Sequence, residues 1–178
     1  MAVLHKQGTI MTISLYAAAV PALLQMLKSL SITLAKTEEF AKAKGMDAET
    51  ILADKLIEDM LPMTKQVQIS TDHAKAVMAR VSGTDNPRFE DTEKTIAELQ
   101  ARIAKTVEFV KSFKASDLDG RKDSQVTIKV GAGEMTFPAQ TYLTNYALPN
   151  FYFHTSMAYA IARKNGVPLG KANFMGRE

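Results

Sequence analysis

Four long segments of the chain carry apolar residues at intervals of three and four, and three of them end at a helix-stopping glycine. That interval matches one helical turn, so every such segment has a single apolar face to bury. The simplest way to bury four such faces is against one another. The first segment covers about Thr12 to Lys44, with Val20, Leu23, Leu27, Leu30 and Leu34 on its stripe and Gly45 as its stop. A short helix is expected from Asp47 to Asp54, with Asp47 as its N-cap. The second long segment opens near Pro62, carries Met63, Val67, Ser70, Ala74, Val77 and Val81, and stops at Ser82-Gly83. After the polar loop GTDNPRFED, the third runs from about Thr92 to Phe113 and turns Ile96, Leu99, Ile103, Val110 and Phe113 inward.

The texture then changes. QVTIKV and EMTF alternate with period two on either side of GAG, which predicts a β-hairpin over roughly Gln125 to Phe137. Pro138 opens the fourth helix, which is expected to run to Asn165 and halt at Gly166, with Pro168 beyond. The fold class is therefore all-α, a four-helix bundle with a short hairpin inserted before the last long helix. The 178 residues suit one domain, read as 11–178, with residues 1–10 an N-terminal extension and Met11 an alternative start.

Composition narrows the function classes. The absence of cysteine removes disulfides, thiolate metal sites, iron–sulfur clusters and a cysteine nucleophile, and it fits a reducing cytoplasm. A net charge of +3, with neither sign in a block, gives no nucleic-acid footprint. Gly8 to Leu27 is free of charged residues, but the apolar stripe continues past Lys28 as one helical face. That favours a core helix over a signal peptide or membrane anchor.

The fourth helix carries the feature that points to function. Read at alternating spacings of four and three, its core-facing seam is Leu143, Ala147, Asn150, His154, Met157 and Ile161. Its two central members are polar, and burying an amide and an imidazole is costly unless partners satisfy them. Pro149 lacks an N–H for the carbonyl of Asn145, so a kink is expected just before Asn150, with a carbonyl left for water or a ligand. His73 stands beside the stripe of the second long helix, and Tyr146 lies one turn before Asn150; His5 falls in the leader. His73, Tyr146, Asn150 and His154 are the candidate pocket.

Imidazoles on facing helices invite a metal, but an amide oxygen is a weak third ligand, and no HExxH or Glu-x-x-His motif is present. Asp72 adjoins His73 yet points about 100° away on a helix, so it is not expected as a co-ligand. GAG within VGAGEM reads as a turn rather than a phosphate loop, and no nucleophile-elbow pattern supports a triad. The residues by themselves indicate a polar pocket for a small molecule, with a metal optional.

The run LPNFYFHTSMAYAIARKNGVPLGKANFMG, the stretch MTISLYAAAVPALLQMLKSL and the segment QISTDHAKA together resemble a bacterial domain-of-unknown-function family. That family sits in the DinB/YfiT-like superfamily, and the resemblance spans essentially Met11 to Gly176. It implies a four-helix bundle and a site of three metal-binding histidines. His73 is similar to the first of these, and His154 to the second member of a His-x-x-x-His pair. Asn150 stands where that pair's first histidine would be. The resemblance thus implies one divalent ion, zinc or nickel, on His73, His154 and Asn150, and thiol-dependent transfer or isomerisation at superfamily level. The rival expectation is a metal-free ligand-binding or stress-associated homodimeric module, since two-fold dimers are the commonest oligomers.

Overall fold

The computed structural model describes residues 13–177. The expected extension over residues 1–10, His5, Met11 and Thr12 lie outside them.

The first helix, α1 (Leu15–Lys44), starts where Ser14 caps it: the Ser14 hydroxyl accepts the Ala17 N–H at 3.2 Å. It ends at Gly45, and its stripe of Val20, Leu23, Leu27, Leu30 and Leu34 is buried as expected. α1 is long and apolar enough to cross a membrane, but those apolar residues are the core of the molecule. Helix α2 (Ala48–Ala53) begins after Asp47, whose carboxylate accepts the Glu49 N–H at 2.9 Å.

Helix α3 (Met63–Ser82) follows Pro62, buries all six predicted stripe residues and ends at Gly83, whose φ of 76° only glycine adopts without strain. Helix α4 (Ile96–Lys111) is shorter than the predicted span from Thr92 to Phe113. Its start is set by a capping box: the Thr95 hydroxyl accepts the Glu98 N–H at 3.2 Å, while the Glu98 carboxylate accepts the Thr95 N–H at 3.0 Å. A single turn, α5 (Ala115–Leu118), leads to the antiparallel pair β1 (Gln125–Val130) and β2 (Gly133–Pro138). Gly131, at φ 59°, opens their two-residue turn. Val126 and Ile128 of β1 point inward and are buried.

The chain then passes through α6 (Ala139–Thr141) into a π-helical stretch, Tyr142–Ala147, and on into α7 (Leu148–Lys164), with a last turn, α8 (Lys171–Phe174). The long helices pack in cyclic order: α1 against α4 and α7, and α3 against the same two.

The π-helical stretch corrects the expectation of one regular helix from Pro138 to Asn165. Pro149 brings no N–H for the carbonyl of Asn145, and the backbone adapts by widening the preceding turn, so that Leu148 N–H bonds to Leu143 O five residues back. The extra residue in that turn rotates everything after it. The buried residues become Tyr142, Leu143, Ala147, Phe151, Thr155, Ala158, Ile161 and Ala162. Asn150, His154 and Met157, predicted on the seam, stand instead on its flank and are only partly buried.

A candidate imidazole pocket between two helices and the hairpin

Polar side chains recur along one face of α3 at Gln66, Ser70, His73 and Arg80, spaced by four, three and seven. This face lies against the π-helical stretch and α7, and three of the four residues hydrogen-bond across the junction. Gln66 Oε1 lies 2.7 Å from His154 Nδ1, Thr155 donates to the Ser70 hydroxyl at 3.4 Å, and Arg80 Nη1 donates to the Tyr142 hydroxyl at 3.0 Å. The junction is thus a polar line inside an otherwise apolar helix contact, with Gln66, Ser70, Thr155 and Tyr142 all buried. Such a line survives because its members satisfy one another.

His73 sits at the middle of that line. Its ring centroid is 5.8 Å from that of His154 and 6.3 Å from that of Tyr146, and the two imidazole planes differ by 17°. Tyr146 in turn packs on Tyr142 and on Phe137 of β2, at 6.0 and 5.9 Å between centroids. The expected cluster of His73, Tyr146 and His154 is therefore assembled from three elements.

Both imidazoles are held neutral. Burial, then the neighbouring His154 and Arg80, pushes His73 down to about 4. Burial alone lowers His154. The Gln66 amide nitrogen donates to the Leu61 carbonyl at 3.1 Å, which turns its oxygen toward His154. The neutral His154 ring accordingly carries its proton on Nδ1 and its lone pair on Nε2.

Asn150 has a different task. Its Nδ2 donates to the carbonyl of Tyr146 at 2.7 Å, one turn earlier and inside the distorted segment. The backbone oxygen expected to be left for water or ligand beside Pro149 is that of Asn145; the one capped here, at Tyr146, is taken by the chain's own amide. Asp72 is likewise committed: its Oδ1 pairs with Arg102 Nη2 at 2.7 Å and with Lys75 at 3.1 Å.

These observations bear on a metal. The donors facing one another are two neutral imidazoles, and among the described residues no three His, Cys, Asp or Glu side chains converge. Catalytic zinc ordinarily has three protein ligands of the imidazole, thiolate or carboxylate kinds. The donor set does not fit a resident three-ligand metal centre.

Between α3 and the hairpin, His73 and Tyr146 open onto a cavity of about 280 Å³ that also exposes Arg80, Asn86 and Lys129. Sequence periodicity missed Gln66 and Arg80. The signal was present, since both fall on the same helical face as Ser70 and His73, but a polar residue beside an apolar stripe reads as solvent-facing until its partner is known. It missed Arg102 as well. This arginine, on α4, is buried, donates to Thr71 at 2.7 Å, and pairs with Asp72, Asp91 and Glu93.

The comparisons with known proteins agree with this architecture. No curated protein matches the chain. A crystal structure of a DinB family member protein from Shewanella denitrificans is similar over 92% of this chain and 93% of that one, with 33% identity and a TM-score of 0.83. The family described as Domain of unknown function (DUF1993) matches residues 15–175, nearly the whole of the described chain. A mostly helical chain with one hairpin before its last long helix, matched in sequence to that family and in structure to a DinB relative, belongs to the DUF1993 family and is DinB-like.

Proposed function

We propose that this protein is a DinB-like helical bundle that binds a small molecule at a pocket organised by His73 and His154. The observation that carries the reading is the pairing of two neutral imidazoles from different helices, 5.8 Å apart between centroids, beside an open cavity. Neutral rings in a partly buried site offer hydrogen-bond donors and acceptors, and such concave sites with a few convergent polar groups are where ligands bind. Tyr146 forms one wall; Asn150 supports that wall through the Tyr146 carbonyl. Binding comes first in this reading, and no catalytic step is assigned. The missing cysteines support a reducing cytoplasm, and Tyr152 and Phe153, exposed on α7, support a homodimer.

A second reading has one specific observation in its favour. A metal-bound histidine commonly donates its other ring N–H to an acceptor, as His154 donates to Gln66. This supports a weakly held zinc or nickel ion on His73 and His154; Asn150, the third ligand the resemblance implies, has its amide on the Tyr146 carbonyl. The superfamily's thiol-dependent transfer would then have to run with a poorer ligand set than three histidines.

One experiment separates the two. Tag-free protein is screened by imidazole-resolved NMR against a library of neutral and anionic small molecules and, separately, against zinc and nickel salts, with His73→Ala and His154→Ala alongside. The binding reading expects compounds that shift both imidazoles without metal. Saturable metal binding lost in both variants, with no compound response in metal-free protein, would replace it with the second reading.

A further inference from the structure

The cavity beside His73 has an electrostatic character that the imidazole pair does not require. Arg80 is partly buried, and its Nη1 is used by the Tyr142 hydroxyl at 3.0 Å, with the guanidinium 5.8 Å from that ring's centroid. Among the described residues no carboxylate pairs with Arg80, and its Nε and Nη2 have no hydrogen-bond partner. Every arginine fork has two usable edges, and the Nε–Nη2 edge matches the two oxygens of a carboxylate. Neither atom is a buried unpaired one, so this edge meets the water of the cavity and is open to a ligand.

The remaining lining points the same way. Lys129 of β1 adds positive charge, and Asn86 adds an amide. The sole carboxylate on the cavity wall is Asp72, whose Oδ1 is already held by Arg102 and Lys75. With Lys75 and Asp72 paired to each other, Arg80 and Lys129 are the two cations left on the wall; they favour a negative ligand, and Tyr146 gives that ligand an aromatic face. The cavity of about 280 Å³ suits a molecule of several heavy atoms rather than a long chain.

We propose that this cavity takes a small organic carboxylate, with the Nε–Nη2 edge of Arg80 gripping the carboxylate, Lys129 supplying a second charge, and the rest of the ligand lying along Tyr146 toward His73. This names the ligand class for the imidazole pocket and rests on that pocket's binding role. A single planar fork without a cluster of backbone N–H groups favours a planar carboxylate over a tetrahedral phosphate.

The test is a titration of the full chain with succinate, with neutral succinamide and inorganic phosphate as separate arms, at constant ionic strength. The readouts are the Arg80 Nε–H and His73 ring resonances. Succinate is expected to give saturable shifts at both. Its affinity should fall at least tenfold in Arg80→Gln, by less in Arg80→Lys, which keeps the charge without the fork, and several-fold in Lys129→Ala. Lys129 is exposed on the hairpin, so its variant tests the site even if the Arg80 variants unfold. An unchanged succinate response in Arg80→Gln and Lys129→Ala would overturn the proposal, as would phosphate binding at least as tightly as succinate. Succinamide separates the two levels. If it shifts His73 as well as succinate does, the pocket stands and the carboxylate assignment falls. If succinate shifts Arg80 but no compound shifts either imidazole, it is the pocket reading that fails.

Discussion

His154 Nδ1 and Gln66 Oε1 are 2.7 Å apart, joined across 88 positions of sequence, and the same Gln66 side chain donates to the Leu61 carbonyl at 3.1 Å. The amide is thereby fixed from one end and fixes the imidazole at the other. A residue with no chemistry of its own decides which nitrogen of His154 carries the ring proton.

Replacing Gln66 by leucine should leave the His154 Nδ1–H and the Leu61 carbonyl without partners. The expected cost is about 1–2 kcal/mol of folding stability. Long-range nitrogen–proton NMR should find His154 as a single Nδ1–H tautomer in the parent protein and as a mixture in Gln66→Leu. An unchanged tautomer would mean that Gln66 does not set it.

Stability should also respond to pH through His73. Its folded pKa, about 4, lies below its ordinary value of 6.5, so between those values the unfolded chain binds a proton that the folded chain refuses. Folding is therefore unpenalised above pH 6.5, weakens as pH falls through the window, and loses nothing more from this group below about 4. Denaturant titrations of parent and His73→Phe at pH 7 and pH 4.5 isolate the effect from other titrating groups. The parent should lose about 2 kcal/mol more than the variant between the two conditions.

Arg102 holds the loop before α4 in place. Its side chain is 2% exposed and binds Asp72, Asp91 and Glu93, while the Phe89 ring lies 5.4 Å from the guanidinium. Arg102→Met removes the cation and leaves three carboxylates facing one another. A loss of about 3 kcal/mol is expected, because Asp72 and Asp91 keep contact with water. Hydrogen exchange should show the residues from Thr84 to Lys94 opening before the rest of the chain.

Gly83 ends α3 at φ 76°, and a Cβ built there would stand 2.5 Å from Arg121 Nη2. Gly83→Ala should cost about 1–2 kcal/mol by thermal or chemical denaturation, chiefly from the left-handed backbone. The Arg121 guanidinium is a flexible end and can move aside.

Sequence by itself determined the helical stripes of α1, α3 and α4, the caps at Asp47, Gly45 and Gly83, and the hairpin around Gly131. Each depends on residues within a few positions of one another: a period, a capping side chain, a glycine that permits an unusual φ. It also singled out His73, Tyr146 and His154, because polar residues interrupting or flanking an apolar stripe stand out locally. Tertiary structure alone decided the rest. The π-helical turn before Pro149 shifted the seam from Asn150 and His154 to Phe151 and Thr155, since a strained backbone chooses its relaxation in the context of what it packs against. Gln66, Arg80 and Arg102 acquired their roles from partners 88, 62 and 30 positions away. Periodicity records which face of a helix is apolar; it does not record which side chain will stand opposite, and that pairing is what made a pocket of these residues.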